Sequence, residues 1–160
     1  MKTGDDTAIG QEETTIEYVT VTIADQLFGL PINRVQDVFM PEMITRVPLS
    51  PPEIAGVLNL RGRIVTAIDM RRRLRLPPRE KATHSMAVGI EYKGESYGLL
   101  IDAVGEVLRL PVAGLERNPG NLDRRWAKVA GGVQRLEGRL MVVLDVDRVL
   151  DMGPEPAIAA

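Results

Sequence analysis

Phe28-Gly29-Leu30, followed by Ile32-Asn33-Arg34-Val35-Gln36-Asp37-Val38, returns 69 residues later. The second occurrence reads Tyr97-Gly98-Leu99, then Ile101-Asp102-Ala103-Val104-Gly105-Glu106-Val107. Farther along the offset becomes 76, so that Gly62-Arg63-Ile64 falls on Gly138-Arg139-Leu140, Ile68-Asp69 on Leu144-Asp145, and Leu74 on Leu150. The growth of the offset places longer loops in the second copy. Two copies are too few for a solenoid, which stacks three or more short units. They predict two similar lobes.

The residues within each copy predict strands. Tyr18 to Ile23 is a strand by composition and by β-branching. A short Ala-Asp-Gln link joins it to Leu27–Ile32, which makes the pair a hairpin. Ile64 to Ile68 and Leu140 to Leu144 are apolar runs too short for a buried helix and suited to strands buried on both faces. Lys93-Gly94 and Glu137-Gly138 lie where glycine can supply the positive φ of a tight turn. Helices are expected to be short. Asp69 and Asp145 precede one or two helical turns as N-caps. Ser50-Pro51-Pro52-Glu53 has the spacing of a capping box, and Gly56 is placed to stop a helix there.

Five short strands per copy close best as a small barrel, which also removes exposed edges. The predicted fold is therefore mostly β: two small five-stranded barrels packed around a shared core, with short helical turns. Residues 1–14 and 153–160 read as loose tails. The folded region spans 15–152, as a unit of about 15–80 and another of about 81–152, with room for strands to be exchanged between them.

Composition narrows the function. With no cysteine among 160 residues, disulfides and thiolate chemistry are excluded. No apolar run has the length of a membrane span or the look of a signal peptide, which points to a cytoplasmic protein. The net charge of −2 is too small to imply nucleic acid in bulk. Residues 61–79 hold seven arginines against Asp69, a local excess of +6. No aromatic residue interleaves them, so a solvated helix face or a docking patch for an acidic protein is the expected reading, ahead of a nucleic-acid surface. Asp69 and Asp145 could share a proton as a catalytic pair, but their positions suit helix capping. His84, the single histidine, reads as a linker residue. No metal, cofactor or catalytic set can be assembled.

The richest stretch is Gly56-Val57-Leu58-Asn59-Leu60-Arg61-Gly62, apolar until it reaches a polar tip. The second copy has Gly131-Gly132-Val133-Gln134-Arg135-Leu136-Glu137-Gly138 in its place. The scaffold is retained and the tip differs. An ordinary hairpin turn with an exposed Arg61 would also account for it.

Together with Leu27–Ile32, Val35–Val38, Ile64–Asp69, Tyr97–Asp102 and Val104–Leu108, this stretch resembles the CheW-like domain family of bacterial chemotaxis coupling proteins. The resemblance covers about residues 16–150. Stand-alone members match better than the CheW-like domains of the kinase CheA or of CheV. The resemblance implies SH3-like barrels and a non-catalytic adaptor. Such an adaptor would bind the histidine kinase CheA, through its regulatory CheW-like domain, and the cytoplasmic tip of chemoreceptors. It would be recruited from the cytoplasm to membrane-associated arrays, without inserting in the membrane and without nucleic acid. A related scaffold in another array-based pathway is the alternative. The expected partner-binding residues are Val35, Asp37, Val38, Gly56, Asn59, Leu60, Arg61, Gly62, Val104, Glu106 and Val107. Val35, Val38, Val104 and Val107 are expected to form an apolar groove for a helical hairpin. Asp37, where the family more usually has glutamate, is one methylene shorter in facing Arg61.

Overall fold

The computed structural model describes residues 14–78 and 86–152. The two tails, apart from Thr14, lie outside these residues, as do His84 and Arg79.

Local sequence forms the hairpins as expected. Strand β1 (Thr15–Ile23) pairs antiparallel with β2 (Gln26–Pro31), Val21 facing Phe28. The turn is two residues long, Ala24-Asp25, both at positive φ (51° and 69°), and Gln26 already belongs to the strand. After β3 (Asp37–Phe39) come β4 (Ile54–Leu60) and β5 (Arg63–Asp69), joined through Arg61-Gly62 at φ 53° and 83°. The second copy supplies β6 (Met86–Tyr92), β7 (Glu95–Ile101), β8 (Ala103–Pro111) and β9 (Leu115–Glu116). It ends with β10 (Ala130–Leu136) and β11 (Arg139–Leu144). Helices α1 (Met70–Arg73), α2 (Arg124–Ala127) and α3 (Val146–Leu150) are single turns. The Asp69 carboxylate accepts from the Arg71 and Arg72 amides and that of Asp145 from the Arg148 amide, so both aspartates cap helices.

The molecule is mostly β, in two SH3-like sheets. One runs β3-β6-β7-β5-β4 and the other β9-β10-β11-β2-β1-β8. Each sheet takes its first hairpin from the other copy. The β1–β2 hairpin lies against β11, with Phe28 opposite Val142. The β6–β7 hairpin lies against β5, with Tyr97 opposite Thr66. Both pairings are parallel, and they are the same contact seen twice, because Phe28 matches Tyr97 and Val142 matches Thr66 under the sequence offsets. The sixth strand of the larger sheet is the two-residue β9; its counterpart in the five-stranded sheet is a lone bridge between Thr45 and Val57.

A helix over residues 50–53 does not form. The Ser50 hydroxyl donates to the Val47 carbonyl (2.8 Å) instead of accepting from a helical amide, and the Ile54 amide closes one turn onto Pro51. Gly56 stops no helix. It sits in β4 at a register shift, with φ 148°, and Gly132 takes the same role in β10 at φ 145°. Such a conformation favours glycine.

A shared core joins the sheets. It includes the fully buried Phe28, Leu30, Ile68, Leu99, Met70 and Leu144. The Phe28 and Trp126 rings meet edge to face at 5.5 Å.

The basic run contributes to this joint. Arg71 is not solvated: its guanidinium forks onto Asp102, with Nε at 3.1 Å and Nη2 at 2.5 Å, and this hydrogen bond raises the Arg71 pKa. Asp102 also accepts from the Ala24 amide at 2.8 Å, tying together α1, β7 and the β1–β2 turn. Arg73 reaches across to the end of α3 and donates to the carbonyls of Val149 and Arg148, satisfying groups that a helix end leaves unpaired. On the other side, Arg34 pairs with Asp147 at 2.9 Å. Asp102→Ala strips the fork and the turn of their acceptor and leaves the Arg71 guanidinium, its side chain only 19% exposed, with the Pro77 carbonyl but no carboxylate. The expected loss is about 2–3 kcal/mol in urea titration, above that of an exposed pair.

Candidate functional site

The Asn-Leu-Arg-Gly tip is built so that one residue is free to act. The Asn59 side-chain oxygen accepts from the Gly62 amide at 2.9 Å and clamps the turn. Leu60 tucks against the cluster of Phe39, Leu58 and Val65. Gly62 takes the positive φ, and a Cβ there would meet nothing within 4 Å. Arg61 is left pointing outward, its side chain 72% exposed.

Asp37, at the start of β3, meets it. The Arg61 Nη1 donates to Asp37 Oδ2 at 3.2 Å, so the shorter acid still reaches. It reaches because β3 runs antiparallel to β6 with Asp37 directly opposite Gly89. An exposed pair of this kind stabilises the fold by only about 0–1 kcal/mol. Its effect is to orient a planar donor that can engage a carboxylate or carbonyls on another surface. A small cavity of about 90 Å³ lies under the pair, between Gly89, Val65 and Tyr97.

The other expected residues are spread more widely. Val38 and Val107 are exposed, on β3 and β8, which are edge strands of different sheets. Val35 and Val104 are partly buried and pack against the shared core. Glu106 is exposed on β8, and its carbonyl accepts from the Thr20 hydroxyl. Gly56 is buried at the far end of β4 from the tip.

A broader apolar surface beside Arg61 escaped the sequence reading. Met40, Met43 and Ile64 are 56%, 80% and 65% exposed, and they line an open groove of about 620 Å³ that ends at Asn59 and Arg61. Its sequence signal is faint: two methionines in a proline-bearing connection, Met40-Pro41-Glu42-Met43. Exposed methionine is adaptable and suits docking surfaces.

Among the described residues no acidic or histidine cluster could hold a metal, and no helix is long and apolar enough to cross a membrane.

Residues 17–153 match the family model described as CheW-like domain. The chain belongs to the CheW-like domain family. Chemotaxis protein CheW of Bacillus subtilis is 28% identical over 139 residues, covering 87% of this chain and 89% of that protein. Chemotaxis protein CheW of Thermotoga maritima is 29% identical over 135 residues, covering 84% and 87%. The crystal structure of the scaffolding protein TtCheW from Thermoanaerobacter tengcongensis superposes with a TM-score of 0.78 at 26% identity, over 88% of this chain and 95% of that one. The methionines and the Arg61 tip line one groove beside the β4–β5 hairpin. As in the CheW family at large, the role is that of a chemotaxis scaffold.

Proposed function

We propose that this chain is a non-catalytic adaptor that couples chemoreceptors to the histidine kinase CheA, working in the cytoplasm at membrane-associated receptor arrays. Membership of the CheW-like family and the names of its chemotaxis relatives support this reading. The observation that carries it is the exposed Arg61, held by Asp37 at the end of a groove where Met40, Met43 and Ile64 are exposed. A groove rimmed by one oriented cation fits an amphipathic helical partner, such as a receptor hairpin tip: apolar contacts supply affinity and the cation sets register.

The arginines of the basic run favour this reading over a nucleic-acid surface. Arg71 and Arg73 are occupied inside the protein and cannot neutralise phosphates.

Arg61→Ala is expected to weaken binding to a receptor cytoplasmic fragment or to CheA about tenfold or more, with Tm within a degree or two of the parent, since the ion pair adds so little to the fold. Co-sedimentation with receptor-bearing membranes and purified CheA measures the first, and calorimetry the second. Unchanged binding to both partners sinks the assignment.

A further inference from the structure

Gly89 has no place in the apolar pattern of β6 and contributes no side chain to the core. A Cβ built on it falls 2.2 Å from Asp37 Oδ1, while the nearest backbone atom, the Asp37 carbonyl oxygen, is at an ordinary 3.5 Å. The bare backbone of residue 89 is therefore the bed on which the Asp37 carboxylate lies. With the Gln36 amide bound to the Gly89 carbonyl (2.8 Å), the carboxylate is aimed at Arg61.

The six-stranded sheet is an internal comparison. By the same offsets Gly89 matches Thr20, Asp37 matches Glu106 and Arg61 matches Glu137. The strand registers agree up to this position: Val38 faces Val88 as Val107 faces Val19, and Phe39 faces Ala87 as Leu108 faces Tyr18; Asp37 then pairs directly with Gly89, while the other ladder bulges at Thr20. Where the six-stranded sheet has Thr20, on its exchanged hairpin, the hydroxyl donates to the Glu106 carbonyl at 2.6 Å. The hairpin tip there carries Glu137, not arginine. Glycine, acid and arginine thus occur together in the five-stranded sheet, the glycine on its exchanged hairpin, and all three differ in the six-stranded sheet.

We propose that Gly89 is the positioning residue of the Arg61 tip: by having no side chain it admits the Asp37 carboxylate that orients the arginine, and so makes the five-stranded sheet, and not the six-stranded one, competent to dock a partner through a cation. This deepens the adaptor reading and rests on it. Gly89 itself touches no partner.

The test is Gly89→Ala, with Arg61→Ala, Asp37→Ala and the double variants. Because the added methyl meets only the end of a side chain, the fold is expected to persist. NMR of the Arg61 guanidinium should show it losing its fixed environment in Gly89→Ala as it does in Asp37→Ala. Affinity for purified CheA or a receptor fragment should fall in Gly89→Ala, and adding Gly89→Ala to Arg61→Ala should cost nothing further. An Arg61 signal unmoved by the methyl overturns the inference, as do additive losses in the double variant. If Gly89→Ala melts far lower and removing the Asp37 carboxylate does not restore it, the glycine serves backbone packing and the inference also falls. If Arg61 is released but the parent binds neither partner, the positioning stands and the adaptor reading fails.

Discussion

Phe28→Ala is expected to lower stability by about 3–5 kcal/mol, among the largest losses available to a single substitution here. The ring is fully buried, and it meets Trp126 edge to face at 5.5 Å. Its backbone lies in the parallel pairing with Val142, where a hairpin of the first copy joins the sheet of the second. Truncation leaves a cavity at that joint and removes an aromatic contact worth about 0.5–1.5 kcal/mol beyond its buried area. Urea titration should show the midpoint falling with an unchanged slope if the molecule still unfolds as one unit. A loss below about 1 kcal/mol would mean that the joint is not where the two sheets are held.

Gly56→Ala is expected to be nearly as severe, roughly 3 kcal/mol or more, for a different reason. The residue has φ 148°, and an added Cβ would fall 2.2 Å from the Thr45 carbonyl oxygen, a backbone atom that cannot swing aside. Gly132→Ala meets the Glu116 carbonyl at 2.6 Å and should behave alike. Gly62→Ala is the control. It has a positive φ of 83° but open space around it, so only the conformational cost of about 1 kcal/mol applies. Thermal melts of the three separate clash from backbone strain. If Gly56→Ala melts no lower than Gly62→Ala, the bulge is not rigid, and binding lost in Gly56 variants must be traced to contact instead.

The contrast between these glycines shows what was legible in the sequence. Gly62, Gly94 and Gly138 follow strand-like runs and could be read as turn residues, because a tight turn is a local event. Gly56 was misread as a helix stop, because its conformation answers to Thr45, on a strand-like bridge that nothing in the surrounding residues announces. Ser50 misled for a related reason: its hydroxyl found the Val47 carbonyl before any helix could use it. The two aspartate caps were correct because a cap and its amides lie within three residues. At the site, Arg61 stood out because the two copies differ there. Met40, Met43 and Ile64 did not, since exposure of a methionine or isoleucine is a property of tertiary packing and leaves little trace in composition. The Asp37–Arg61 contact depended on family likeness, and its geometry depends on a glycine in a third strand.

The exchanged hairpins bear on how the chain reaches this state during synthesis. The β1–β2 hairpin leaves the ribosome more than a hundred residues before its parallel neighbour, residues 139–144. At about 5–20 residues per second it waits roughly 6–23 seconds, while the strands of its own half are already at hand. The two ionic links across the joint have opposite polarity: α1 offers Arg71 to Asp102, and α3 offers Asp147 to Arg34. Under the repeat offset Asn33, not an acid, holds the place of Asp102, so a hairpin settled on its own half would offer Arg71 no carboxylate. The exchanged pairing thus supplies Arg71 with a carboxylate that its own half does not place there.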